Sequence, residues 1–268
     1  CEDNTQQKET DIQKENKWYH KLWKNIVRYC IKGEGITTTK DTENSIEDWK
    51  RQAETYLKKS VENNPKGRYH QNLGAYYATI RDYDKALEQY KLAFNAEKRD
   101  DKIYNLIGSV LLYRAEMKLG ISERFQKGIV LSEITLDKID EEERLNIQND
   151  IKQAYEWLNL AIKQVNPIIN AYYNYSKACI YDSLFLGGGS QKMSEADKYL
   201  NTVEIIWNMN HSEKPKGYLY TRRNYWEANK EYDKALEINQ VIMKVDNSGD
   251  AKTAERVYDS KKRNKNNV

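Results

Sequence analysis

Residues 70–93 read HQNLGAYYATIRDYDKALEQYKLA, and their spacing decides the fold. His70, Leu73, Gly74 and Tyr77 stand at i, i+3, i+4 and i+7, and Ala86, Tyr90 and Ala93 at i, i+4 and i+7. That period puts each set on one face of a helix. Gly74 and Ala86 are the small members of the two sets, so the helices cross there. A mid-helix Gly costs about 1 kcal/mol against Ala, and close packing accounts for its presence. A near-copy of DYDKALE (82–88) returns as EYDKALE (231–237), far enough along the chain to be a separate unit.

The register extends outward in both directions. Tyr104-x2-Ile107-Gly108-x2-Leu111 repeats the first half, and its second half is displaced to Ala154-x3-Leu158-x2-Ala161, which places an insertion at 119–150. A third unit reads Tyr172-x2-Tyr175-Ser176-x2-Cys179, then Ala196-x3-Leu200-x2-Val203. A fourth, Leu219 to Trp226 with Ala235 and Ile242, is degraded, because Asn239 occupies a position that calls for an aromatic or aliphatic residue. Upstream, Ala53-x3-Leu57-x2-Ser60 followed by Pro65 matches a second half, with Trp18–Cys30 as its first helix across a polar loop 31–45. A closing helix over Ala251–Lys262 serves as the polar cap that such arrays carry. Pro65, Pro167 and Pro215 all fall after a second helix, where Pro interrupts nothing.

This pattern resembles the tetratricopeptide repeat (TPR), a helix–turn–helix unit of 34 residues. The resemblance implies an all-α fold: a right-handed α-solenoid of TPR-like helix pairs with interrupted repeats. The domain organisation that follows is a tether at 1–16, one array at 17–262 and a basic polar tail at 263–268.

Composition agrees. Only 39% of the 268 residues are hydrophobic even with 21 Tyr included, and there are 12 Gly and 3 Pro. All-β folds need more turn residues, whereas a solenoid whose units pack only on their neighbours tolerates a thin apolar stripe. Apolar runs such as Val110-Leu111-Leu112 are far too short to span a bilayer. The net charge is +3 with no basic stripe beyond Lys261-Lys262-Arg263, which argues against a nucleic-acid partner. Cys1, Cys30 and Cys179 form no CxxC and no zinc spacing, and a Cys30–Cys179 disulfide is open to the chain outside the cytoplasm.

Cys1 heads a stretch, residues 2–16, whose one apolar side chain is Ile12. The terminus is similar to that of a mature bacterial lipoprotein, with Cys1 as the lipid-anchor residue. The resemblance implies membrane attachment through N-terminal acyl chains in the bacterial cell envelope, at the outer membrane, on its periplasmic or surface face. Two or more acyl chains anchor stably where one does not. A tether of this length reaches about 20 Å. The acidic pair Glu2-Asp3 resembles signals that send some lipoproteins to the surface.

No reactive constellation stands out. Gly187-Gly188-Gly189-Ser190-Gln191-Lys192 lacks GxxxxGK[ST], and Glu195 and Asp197 at the head of the next helix repel an anion, so the stretch is a flexible turn with Ser194 as helix cap. His20, His70 and His211 are scattered, so no metal or cofactor is expected. Asp140 with Glu143 is a capping box, and Cys179 is a packed thiol. The chain reads as no enzyme.

By repeat position the concave face carries Gln71, Asn105, Tyr173, Asn174, Lys177, Tyr181, Tyr220 and Asn224, the candidate partner-binding residues. The TPR clamp for a peptide C-terminus is absent, since its places hold Gln71, Ala75, Leu106, Asn170 and Asn174. A Tyr-rich lining suits a peptide or a small apolar ligand. The expected function is a non-enzymatic scaffold docking a protein or peptide in an envelope complex, with 119–150 as a second contact surface removable without harm to the other helices. The alternative is a ligand-handling accessory lipoprotein of a TRAP-type or other solute uptake system, whose Gly-rich turn 184–200 (LFLGGGSQKMSEADKYL) resembles the one here. SusD-like glycan-binding lipoproteins rank third, being much longer.

Overall fold

Helix boundaries fall where small residues, prolines and left-handed turns put them. The computed structural model describes residues 40–96, 101–210, 214–246 and 249–265, and every regular element among them is helical. Two compact units divide at residue 99. The first contains α1 (Lys40–Asn63), α2 (Gly67–Thr79) and α3 (Tyr83–Ala96). The second contains α4 (Asp101–Lys118), α5 (Glu141–Ile162), α6 (Ile169–Phe185), α7 (Gly189–Asn210), α8 (Lys216–Ala228), α9 (Tyr232–Val245) and α10 (Gly249–Lys265). The fold is the all-α repeat of consecutive helix pairs that the spacing predicts: α2 packs on α3, α4 on α5, α6 on α7 and α8 on α9.

The crossings of α2 with α3 and of α4 with α5 each set a glycine against a large residue. A Cβ on Gly74 would lie 2.7 Å from the Tyr90 ring, and one on Gly108 would lie 2.5 Å from Leu158 Cγ and 3.2 Å from the Ala154 carbonyl oxygen. Ala86, Ala154, Ala196 and Ala235 are all fully buried. The two near-copies also share a turn. Arg81 (φ 64°) and Lys230 (φ 60°) both take the left-handed conformation. Asp82 N–H then donates to Tyr77 O at 2.9 Å, and Glu231 N–H to Trp226 O at 2.9 Å. This is the six-to-one hydrogen bond that closes a helix end, formed here without the usual Gly.

In the second unit the first helices of the pairs, α4, α6 and α8, pack side by side in one layer. The second helices, α5, α7 and α9, each wedge against the helix that follows. α10 covers the end of the array, burying Ala251, Ala254, Val257 and Tyr258 on one face.

Three boundaries differ from expectation, and one falls where it is predicted. Helix α1 already runs from Lys40, so residues 40–45 are helical where the polar loop 31–45 is expected. Helix α5 starts at Glu141, where the Asp140 cap predicts it, with Glu143 N–H donating to Asp140 Oδ1 at 2.9 Å; residues 141–150 of the insertion 119–150 are therefore α-helical, and 119–140 carry two short 3-10 turns, Ile121–Glu123 and Leu131–Glu133. Helix α7 starts at Gly189, and Ser194 lies inside it rather than capping it. Positive φ at Gly187 (85°) and Gly189 (55°) reverses the chain within three residues and leaves no room for a longer approach. Helix α10 extends past Ala251–Lys262 at both ends. The expectations for Cys1, the tether 1–16, His20, the helix Trp18–Cys30, Cys30 and His211 lie outside the described residues.

Gly108→Ala tests the crossing. At an open helical position the change stabilises by about 1 kcal/mol. Here it destabilises by about 1–3 kcal/mol through overpacking against Leu158, read as a lower urea midpoint at unchanged helical content.

Candidate functional site

The layer of first helices presents most of the candidate residues, and the structure ties many of them to one another. Asn174 Nδ2 donates to Asn105 Oδ1 at 3.0 Å, and both residues are buried. Lys177 Nζ lies 2.9 Å from Glu116 Oε1 and 5.2 Å from the centre of the Tyr113 ring. Tyr181, fully buried, donates its hydroxyl to the same Glu116 Oε1 at 2.5 Å. Tyr173 rests on Gly217, where a Cβ would lie 2.7 Å from its ring. Tyr220 OH donates to Asp246 Oδ2 at 2.9 Å, and Asn224 is buried. Gln71 is half-buried on α2, in the first unit, next to His70, whose Nδ1 lies 2.9 Å from Gln89 Oε1. Accessible on the layer are Tyr113, Met117 and parts of Tyr173, Lys177 and Tyr220.

The insertion is a strut. Its residues Phe125 and Val130 join one apolar cluster with Ala235, Ala254, Val257 and Tyr258, so removing it would strip the core at α8 to α10. The expectation that it is dispensable to the other helices is therefore corrected. At the junction Glu227, with no exposed surface, accepts from Arg124 Nε at 3.1 Å and Nη2 at 3.2 Å, from Tyr258 OH at 2.9 Å and from the Leu131 N–H. Arg124 Nη2 also donates to Asn224 Oδ1 at 2.9 Å and its Nη1 to Ile121 O at 2.7 Å. Burial opposes the Arg124 charge, but Glu227 outweighs it and holds the guanidinium pKa above its ordinary value. Burial, with Glu227 second, pushes the Tyr258 phenol well up.

The fourth pair explains its own degradation. Arg223 stands where Gly74 and Gly108 stand in earlier units, and Asn239 where Tyr90 and Leu158 stand. Arg223 Nη1 donates to Asn239 Oδ1 at 2.9 Å, Asn239 Nδ2 donates to Ala251 O at 2.7 Å, and Arg223 Nη2 reaches Asp250 at 3.1 Å. A polar pair thus replaces the apolar crossing. Arg124, Glu116 and Glu227 escaped the sequence reading, whereas the mismatch at Asn239 marked the place where Arg223 meets a polar partner.

A second cluster surrounds the Gly-rich turn. Tyr175 OH donates to Glu195 Oε1 at 2.5 Å and accepts from Tyr155 OH at 2.9 Å, while Lys192 Nζ sits 3.1 Å from Glu195 and 3.7 Å over the Tyr155 ring. Burial pushes the neighbouring Cys179 thiol up. Burial opposes the Lys192 charge, yet Tyr155 and Glu195 raise its pKa to about 12. Both directions keep thiol and amine protonated, which suits a tie between α5, α6 and α7 rather than a nucleophile. Among the described residues no three His, Cys, Asp or Glu side chains gather as a metal site, and no helix is long and apolar enough to cross a membrane.

The chain matches no protein-family model and no curated protein.

Two measurements check this geometry. Glu227→Gln leaves the buried Arg124 without its counter-charge and lowers stability by about 3–5 kcal/mol, with faster amide exchange over residues 121–134 than over α6. For pH, burial pushes Tyr173, Tyr77 and Tyr218 from 10 up to about 12, assisted by Tyr113, Glu54 and Glu204 respectively. The folded chain keeps these protons where the unfolded chain loses them. Stability is therefore complete below pH 10 and falls as pH rises to about 12, seen as urea midpoints dropping across that window.

Proposed function

We propose that this chain is a membrane-tethered, non-enzymatic scaffold lipoprotein built on TPR-like pairs, docking a protein or peptide partner in a bacterial envelope complex. The observation that carries the reading is the polar, internally paired layer of first helices. Glu116 fixes Lys177 and Tyr181, and Asn105 fixes Asn174, so the accessible Tyr113, Tyr173 and Tyr220 stand on side chains that are already held. A face organised in advance loses little freedom when a partner binds. Tyr offers large contact area with a polar tip, the composition of peptide-binding surfaces. An apolar ligand carrier needs a largely hydrophobic lining, and the amide, carboxylate and ammonium groups of this layer argue against that alternative.

The test places a photo-crosslinking residue at Tyr173 in the full chain, activated in intact cells before mild-detergent extraction. The expected product joins the chain to one envelope protein, and Lys177→Glu reduces its yield about tenfold, the effect of reversing one charge in a docking face. Cys1→Ser is expected to release the chain from the membrane fraction. Recovery of a solute-binding protein alone would transfer the assignment to a solute uptake system, and no protein adduct would overturn the docking role.

A further inference from the structure

The strut that seats on α8 also forms one wall of a groove. Phe125, Gln126 and Gly128 face a stripe of α10, and together they enclose about 310 Å³ open to solvent. The stripe runs Thr253, Arg256, Val257, Ser260 and Lys261, one face of the helix at i, i+3, i+4, i+7 and i+8. The lining divides by chemistry. Phe125 and Val257 are nearly buried and supply an apolar floor. Gln126 and Ser260 add an amide and a hydroxyl, and Arg256 and Lys261 add two cations. No carboxylate lines the groove. Lys261 is held in place by Glu133, whose carboxylate lies 2.6 Å from its Nζ. Arg256 is exposed and has no ion pair with another described residue, so its guanidinium is free for a bidentate carboxylate contact.

We propose that this groove binds an acidic peptide segment carrying one apolar side chain. Its carboxylates would meet Arg256 and Lys261, and its apolar group would rest on Phe125 and Val257. The volume lies at the lower end of ligand sites, roughly 300–1,000 Å³, enough for a short segment and not for a folded surface. The inference rests on the docking reading above and assigns to the insertion and α10 a partner contact separate from the layer of first helices.

The probe is a fluorescent, end-blocked Glu-Glu-Leu-Glu-Glu peptide, titrated by anisotropy against the full chain in mild detergent. Saturable binding is expected, weakened by added salt and weakened again when Ser replaces Leu in the peptide. Arg256→Glu should weaken it about tenfold or more, whereas Lys152→Glu, the same charge change at an exposed position of α5, should leave it within about twofold. Equal loss in both variants, equal binding of a Lys-Lys-Leu-Lys-Lys peptide, or no saturable binding each overturns the proposal. The two readings separate in the crosslinking experiment. A partner captured equally by the native chain and by Arg256→Glu, with no peptide binding, removes the groove and keeps the scaffold. Arg256-dependent peptide binding without any captured protein keeps the groove and removes the scaffold.

Discussion

Two helices of a pair can approach closely only if one of them gives up its side chain at the crossing, and the described architecture depends on that exchange. At Gly108 the missing Cβ makes room for Leu158, and at Gly74 for Tyr90. The cost is local: a mid-helix glycine is a poor helix former. The gain is spread over the pair, because Ala154, Leu158 and Ala161 of α5 are buried, and α5 packs closely on α4. Packing at interior density rewards such interdigitation and penalises any added methylene. A thin apolar stripe thus suffices, which reconciles a 39% hydrophobic composition with buried helix pairs.

The period of the apolar residues made this arrangement legible. It located Gly74, Gly108, Ala86 and Ala235 at crossings, and the turn that closes α2 recurs at the end of α8 because the near-identical segments behind them impose it. The cap at Asp140 likewise marked the start of α5, since a carboxylate before a run of acids suits the positive end of a helix. Periodicity is silent, however, about contacts between residues far apart in the chain that share no period. Arg124 and Glu227 are separated by 103 residues, and neither belongs to a repeated position that predicts a charge. The Gly-rich turn misled for a related reason: three glycines announce a bend but not its length, and the bend here is shorter than a capped approach needs.

The candidate binding face was partly legible. Repeat position selected the layer that α4, α6 and α8 form, but not which of its side chains stay accessible. That depends on partners such as Glu116, which engages both Lys177 and Tyr181, and on the insertion arriving over Asn224. A residue's place on a helix face is a property of its own segment, whereas its exposure is a property of whatever else reaches that face.

The fourth pair shows what is gained by abandoning the apolar rule. A small-against-large crossing holds two helices together without direction, because burial of apolar area is indifferent to small displacements. Replacing it with Arg223 and Asn239, and setting Glu227 beside them as acceptor for Arg124, Leu131 and Tyr258, is not a strong source of net stability, since desolvating such groups offsets most of their attraction. What it provides is position. A carboxylate that accepts from a guanidinium, a phenol and a backbone amide at once is satisfied in one arrangement of loop and helix, and any slippage leaves a buried group unpaired. The insertion is therefore seated in one register on α8 and α10, and the groove along Arg256 inherits a fixed wall. Directional polar contacts at the end of an otherwise apolar array turn a long loop into part of the scaffold's surface.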